Sequence, residues 1–392
     1  MKNDTCVKLC ILLEPAFSEL DYDNKWIPIV KKHVDMDTFN CYFVTGRRSV
    51  NDVSMPQIKG QIYTVPFPFS TMEGMKFILG RIFYLFISFI LLLWLVPRRQ
   101  IKVLISLGGH LYTGFIVSLV SKLLRAKSIV RVAEMTRQEI TMTRRGGHLI
   151  SAALYPVEKF VYKYCDAVVT NRGAKRLIDK GLKEEKINVI SQGVQLSLFH
   201  PKVPQKFLHN GFPKIISVSR LSKEKNLISL IRATKIVMTK YPNCAVAIVG
   251  EGRDFNRLSR EVELLSLEKN VFLEGRVPHH RVPALLSGCD FFVLSSIYEG
   301  LPSAMLEAMA CGLPVIATPI VKETMGLKNW VNVLIAEPTP QGISRAIIRL
   351  SSDHHLKDKI RKNAFLFIKK YHNANRAKES FTNIINRLCP RC

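Results

Sequence analysis

Acidic residues are scarce in this chain. Its 392 residues hold 31 Asp and Glu against 57 Lys and Arg, a formal net charge of +26. The deficit is uneven: from Lys59 to Arg145 there are 13 Lys/Arg and 3 Asp/Glu, a net of +10. Such a surface favours an anionic partner: nucleic acid, acidic lipid or a phosphorylated substrate. The features that would select nucleic acid are missing. There is no zinc-finger spacing, no RNP-type aromatic motif and no basic heptad region, so no nucleic-acid partner is expected. No secretory leader is expected either. "MKNDTCVKLCILLEP" has no long apolar run before a small-residue cleavage site and leads straight into a strand pattern. Most of the nine cysteines, including Cys6, Cys10, Cys41, Cys244, Cys289 and Cys311, sit within apolar runs. They read as buried, reduced thiols of a cytosolic protein rather than a disulfide framework. The terminal "CPRC" is a single CxxC and a weak metal or redox signal.

What is present is alternation. Length alone predicts about two domains. Strand patterns occur at 7–14, 39–46, 102–109, 128–134, 166–171 and 187–193. A turn-rich stretch with three prolines, 194–214, reads as a linker. The alternation then restarts, with strands at 214–221, 244–252, 271–277, 290–296 and 314–318. Helical patterns fall at 226–241, 254–267, 279–288 and 303–311, and helices fill most of 340–387. Short apolar runs alternating with helices predict parallel α/β folding. The expectation is two Rossmann-like, doubly wound domains facing across a cleft. These are an N-terminal domain over 1–200 and a C-terminal one over 201–392, whose terminal helices could pack back on the first.

One segment breaks the alternation. "IFYLFISFILLLWLV" (82–96) carries no charge and is bounded by Arg81 and by Arg98–Arg99. As a helix of that length it would be roughly 22 Å long, against roughly 30 Å for a bilayer core. The expectation is a membrane-associating helix near 77–96 that enters one leaflet, with Trp94 and the arginines at the headgroups. A wholly buried helix and a spanning one are the alternatives. Clustered Lys/Arg in the same half suits an anionic membrane surface.

The chemistry concentrates in "YEGLPSAMLEAMACGLPVIAT" (298–318), an apolar stretch that keeps two acids. Glu299 falls in the loop after a strand, where ligands of open α/β sheets bind. Glu307 falls about one turn into the next helix, where burial would demand hydrogen-bonding partners. Pro302 and Ser303 suit a helix start, and the free N–H groups there suit an anion. Carboxylates accept from sugar hydroxyls, so one helix end would offer phosphate-binding amides and two hydroxyl acceptors. The plain alternative is two solvated surface acids. Upstream, "SRLSKEKNL" places Arg220 and Lys225 after the first strand of the second domain, with Lys223 as an alternative cation. Fixed cations stabilise a departing diphosphate. "VGEG" (249–252) is a glycine turn at a strand end that allows close ligand approach at Gly250.

Together, "SVSRLSKEKNL", "IVGEG", and the run from "VFLEGRVPHH" to "GLPVIAT", with its E-x7-E spacing, resemble the retaining glycosyltransferases of the GT-B fold, group 1 or family 4. The resemblance covers 214–320 and continues more weakly over 161–201. It implies that Arg220 and Lys225 bind the donor diphosphate and assist its departure. It implies that Glu299 contacts the transferred sugar and Glu307 holds the ribose hydroxyls. Gly300, Leu301, Pro302 and Ser303 would place backbone amides near phosphate and sugar, and Arg276 and Val277 would line the nucleobase pocket. No cofactor and no metal are expected, which fits the lack of a DxD motif in the likely donor site; a nucleotide-diphosphate sugar is the donor substrate. Two departures stand out. "LEPAFSELDYD" lacks the glycine-rich turn many relatives carry after the first strand. No histidine follows the strand at 128–134, so His110 of "LGGHLYTG" is the acceptor-side candidate.

The implied activity is transfer of a sugar from a nucleotide donor to a lipid-linked saccharide, glycolipid or polysaccharide at the cytosolic face of a membrane. The protein would be peripheral or monotopic there. Two alternatives remain open: a membrane-surface subunit that needs a partner, and a soluble epimerase or sugar-phosphate transferase of the same fold. Sequence alone names no sugar, base or oligomeric state.

Overall fold

The computed structural model describes residues 7–13, 34, 36, 39–47, 61–66, 75–107, 111–132, 147–171, 174–191, 193–201, 209–299, 302–323 and 326–390. The chain divides into two compact units, one of Met1–Ser191 with Asn375–Cys392 and one of Gln192–Ala374.

The first unit holds a parallel sheet. Its strands are β1 (Lys8–Leu12), β2 (Asn40–Arg47), β3 (Gln61–Pro66), β4 (Val103–Ser106), β5 (Lys127–Val132), β6 (Ala167–Thr170) and β7 (Ile187–Val189). Their order is β3-β2-β1-β4-β5-β6-β7. "KLCIL" shows why the run is a strand buried on both faces. Leu9 and Ile11 point one way, into a core with Phe39, Phe43 and Ile129. Cys10 and Leu12 point the other way, into a core with Val44, Leu104 and Val117. That is the two-residue period of a sheet covered on both sides. The described helices are α1 (Met75–Arg99), α2 (Thr113–Leu124), α3 (Gly147–Ala153), α4 (Tyr155–Tyr164) and α5 (Lys175–Ile178). "QIYTVP" (61–66) was not expected as a strand; its polar positions and closing proline hid it.

Helix α1 corrects the expected length of the apolar segment. It has 25 residues, about 37 Å at the usual rise, and Ile82–Arg99 is long and apolar enough, by length and composition, to cross a membrane. The arginines bound the apolar run but not the helix, because Arg is itself a good helix former. One face is buried in the unit, with Tyr84, Ser88, Leu92, Leu95 and Val96 against the sheet. The Tyr84 hydroxyl donates to the Leu13 carbonyl. Ile82, Phe83, Phe86, Ile90 and Trp94 form an exposed stripe on the other face.

The second unit repeats the plan with β8 (Lys214–Val218), β9 (Ala245–Val249), β10 (Val271–Gly275), β11 (Phe291–Leu294), β12 (Val315–Ala317) and β13 (Leu334–Ile335). The order is β10-β9-β8-β11-β12-β13, all parallel. The helices are α6 (Leu227–Val237), α7 (Phe255–Leu264), α8 (Val282–Ser287), α9 (Ser303–Ala310), α10 (Pro340–Ser352) and α11 (His354–Tyr371). One face packs Ile216, Ala247 and Phe292 under α8, α9 and α11. The other packs Ile215, Val246 and Phe291 under α6 and α10. Chain order reverses between β8 and β11, so the crevice of this sheet lies beyond their carboxyl ends.

Part of the expected linker is core. Val194 and Phe199 are buried in the second unit. The Val194 N–H donates to the His372 carbonyl at 2.6 Å, and its own carbonyl accepts from Ala374 N–H at 3.1 Å. A Cβ at Gly193 would stand 2.3 Å from the Ala374 Cα, so only glycine permits this crossing. After it, α12 (Ala374–Leu388) places Ala377, Phe381, Ile384 and Ile385 in the core of the first unit. The seven described cysteines, Cys10, Cys41, Cys165, Cys244, Cys289, Cys311 and Cys389, are all free. Cys6 and Cys392, the latter closing the CxxC, lie outside the described residues.

Candidate active site

The turn after β8 and the loop after β11 are joined at the sheet's reversal point. Lys223–Lys225 form one 3-10 turn, closed by Asn226 at φ 51°. The Ser295 hydroxyl donates to the Lys225 carbonyl at 2.7 Å, and Ile297 N–H donates to the Glu224 carbonyl at 2.9 Å. These bonds fix the Lys225 backbone beside the β11 loop. Its Nζ then meets Glu299 Oε1 at 2.6 Å, with the two side chains 11% and 12% exposed. The Ser296 hydroxyl donates to the same oxygen at 2.9 Å. Charges this deep require a partner of opposite sign and hydrogen bonds besides.

Arg220 is not drawn into that cluster. Its guanidinium is 75% exposed and lies 3.7 Å from Glu224. Burial raises the Glu224 carboxyl, but the Ser222 hydroxyl, a backbone N–H, Arg220 and Lys225 outweigh it and hold it below its ordinary range. Lys223 is exposed.

Glu307 is buried in α9 among Met305, Leu306, Ala308, Met309 and Ala310. Its partner is His279, whose Nε2 stands 3.1 Å from Glu307 Oε1. The start of α9 differs slightly from expectation. Pro302 is the capping residue, with no side-chain cap of its own, and Ser303 is the first helical one. Gly300, Leu301 and His110 lie outside the described residues.

At the end of β10, Arg276 pairs with Glu251 at 2.9 Å, and half-buried Val277 packs against the core under α8 and α9. Gly250 has φ +142°, and a Cβ there would fall 1.8 Å from the Ser219 carbonyl oxygen. Close approach of the β8 turn therefore suffices to require glycine at this position. Among the described residues, no group of three His, Cys, Asp or Glu is placed to hold a metal ion. The partners Ser296, His279, Glu224 and Glu251 were not read from the sequence. The one available signal was position, since His279 and Glu251 follow strand ends of the same sheet.

Residues 200–367 match the family model described as glycosyl transferases group 1. The matched residues lie within the second unit. An uncharacterized glycosyltransferase of Methanocaldococcus jannaschii is 31% identical over 179 residues, 43% of this chain and 44% of that protein. An Escherichia coli enzyme, UDP-Gal:alpha-D-GlcNAc-diphosphoundecaprenol alpha-1,3-galactosyltransferase, is 31% identical over 180 residues, 43% of this chain and 46% of that one. The alignments with the first curated relatives span from 38% to 61% of those proteins' lengths. Over its whole length the chain is similar to Anabaena HepE, crystallised with UDP and glucose: TM-score 0.72, 16% identity, 96% of this chain and 99% of that one. That likeness shows the GT-B fold, two Rossmann-like parallel-sheet domains, as the sequence led us to expect.

Proposed function

We propose that the protein is a retaining glycosyltransferase that moves a sugar from a nucleotide-diphosphate donor to a glycan acceptor carried on a lipid. The observation that carries this is the Lys225–Glu299 pair at the reversal point of a group 1 domain, with Glu307 in the following helix. Lys225 and the exposed fork of Arg220 would take the diphosphate and stabilise the charge that develops as it leaves. The start of α9, where Pro302 supplies no side-chain cap, would add backbone amides to the same task. Glu299 would accept from hydroxyls of the transferred sugar. Already neutralised by Lys225, it suits hydrogen bonding rather than nucleophilic attack. The acceptor oxygen would attack on the face the phosphate leaves, passing its proton to that phosphate, with no metal required. The name of the Escherichia coli relative, an undecaprenol-linked acceptor, supports a lipid-linked acceptor here.

The acceptor would be met at the cytosolic, anionic surface of a membrane. The exposed stripe of α1 supports this, with the Arg98 guanidinium 4.7 Å over the Trp94 ring and Lys122, Leu123 and Arg125 exposed at the end of α2. The opposite face of α1 is fixed along the sheet, so the helix would lie in the membrane plane rather than cross it.

The test is mass spectrometry of products after membranes containing the protein are incubated with a panel of nucleotide sugars, beside Glu299→Gln and Lys225→Ala. A new glycosylated lipid from one donor, lost with Glu299→Gln and reduced of order 10²-fold with Lys225→Ala, is the expected result. Transfer near wild-type in both variants refutes the site. Soluble product alone would indicate the epimerase or sugar-phosphate transferase reading, and nucleotide binding without product the partner-dependent one. For the membrane, Phe86→Ser/Ile90→Gln/Trp94→Ser should abolish flotation with phosphatidylglycerol vesicles; unchanged flotation refutes the α1 surface.

A further inference from the structure

Glu307 presents a problem of placement. A carboxylate has two oxygens and only accepts hydrogen bonds. Here it is 8% exposed, held in a helix whose neighbouring side chains are apolar. Its partner, His279, comes from a different strand end, in the 3-10 turn His279–Arg281 between β10 and α8. Since the carboxylate only accepts, Nε2 of His279 is the donor, at 3.1 Å. The imidazole is itself held: its ring lies tilted over that of fully buried Phe199, centroids 5.1 Å apart. Its outer side stays open, the side chain being 44% exposed. Three residues before it, Arg276 begins the loop that would line the nucleobase pocket. One short loop thus carries both that lining and the group that orients the buried carboxylate.

We propose that His279 is a positioning residue that makes donor recognition specific for ribose. By taking one oxygen of Glu307 and resting on Phe199, it fixes the carboxylate plane so that the remaining lone pairs face a vicinal diol. Two hydroxyl donors in fixed geometry satisfy such a carboxylate, and a nucleotide lacking them leaves it desolvated and short of partners. This rests on the reading above that Glu307 takes the ribose hydroxyls. The ribose is remote from the bond that breaks, so the interaction is equally strong in ground and transition states. Its loss raises KM and leaves kcat.

The experiment is calorimetric titration of the full-length protein with uridine, guanosine and adenosine diphosphates and their 2′,3′-dideoxy counterparts. Wild type, His279→Ala, His279→Gln and Glu307→Gln are compared, with thermal midpoints recorded for each. His279→Ala should weaken the preferred ribonucleotide about tenfold and the dideoxy form less than about twofold. His279→Gln, which keeps an N–H donor, should recover most of the loss. In the transfer assay the KM for donor should rise alongside, with kcat unchanged. Equal weakening of both nucleotides by His279→Ala overturns the proposal, as does tighter binding, which would make the imidazole a competitor for the site. If Glu307→Gln erases the ribose preference and the His279 variants keep it, the proposal fails and the ribose reading stands. If Glu307→Gln itself keeps the preference, or no diphosphate binds the wild type, the ribose reading fails and the proposal with it.

Discussion

Replacing Lys225 with methionine removes the cation and keeps most of its volume. Glu299 then remains 12% exposed, its ammonium partner gone and the Ser296 hydroxyl still donating to it. At 2.6 Å the Coulomb attraction is about 6 kcal/mol for an effective dielectric of 20. The variant no longer has to desolvate an ammonium, which offsets part of that. Removing one member of a buried pair costs about 3–5 kcal/mol, and the residual exposure of both groups places this case near the lower end. At about 2–4 °C per kcal/mol for a unit of this size, the melting transition of the second unit should fall by about 6–12 °C. Glu299→Gln should cost a similar amount. The double variant has no buried charge, so its loss should be smaller than the sum of the two single losses by about 2 kcal/mol. Turnover should behave differently. The double variant should remain at least of order 10²-fold below wild type, because a stable neutral pair offers the departing diphosphate no lysine cation. The assay is a double-mutant cycle read twice, by calorimetry and by transfer rate. Stability losses additive within about 0.5 kcal/mol would show the pair does not form in solution. Recovery of turnover along with stability would show that Lys225 is structural and not a leaving-group site.

Three further outcomes follow from the packing. Gly250→Ala should destabilise the second unit by about 3 kcal/mol or more in denaturant titrations, because its Cβ would overlap the Ser219 carbonyl at a positive φ; a neutral result would show the two turns do not touch. Ser88→Ala should stabilise the first unit by about 1 kcal/mol, since the Ser88 hydroxyl is buried with no partner among the described residues; a loss on denaturation would reveal a partner. Burial pushes the Cys165 thiol up to about 12 and the Cys244 thiol up to about 11 from an ordinary 9.0. The unfolded chain therefore releases these protons above pH 9 while the folded one keeps them. Stability is full below pH 9 and falls as pH rises toward the folded values, by about 1.4 kcal/mol per pH unit for Cys165. Cys165→Ala should flatten that slope between pH 9 and 10.5 in denaturant titrations; an unchanged slope refutes the assignment.

The strands that were legible share one physical cause. A parallel strand covered on both faces needs an unbroken apolar run, and "AVAIV" and "FFVL" are such runs bounded by turn residues. Where that demand weakens, the signal fades. β3, at the sheet edge, carries Gln61 and Thr64 and ends on Pro66, and β13 has two residues. The extent of α1 was misread for the opposite reason. The helix continues past the apolar run through Pro97 to Arg98 and Arg99, so the proline and charges that end the apolar run do not end the helix.

The site was legible as acids and cations but not as pairs, and topology supplies the missing step. Lys225 and Glu299 are 74 residues apart, yet β8 and β11 are neighbours at the reversal, so the turn after one must meet the loop after the other. His279 and Glu307 come from strands that are not neighbours: β10 is the sheet edge, with β9 and β8 between it and β11. Here the helices make the contact. α8 follows β10 and α9 follows β11, and both lie on the same face, with Val282 and Leu286 of one packed among Met305, Leu306 and Met309 of the other. The residue that opens the turn into α8 therefore stands beside the second turn of α9. A chain so short of acids places two of them in one apolar stretch because the winding of this sheet delivers a separate counter-group to each, a cation through strand adjacency and an imidazole through helix adjacency.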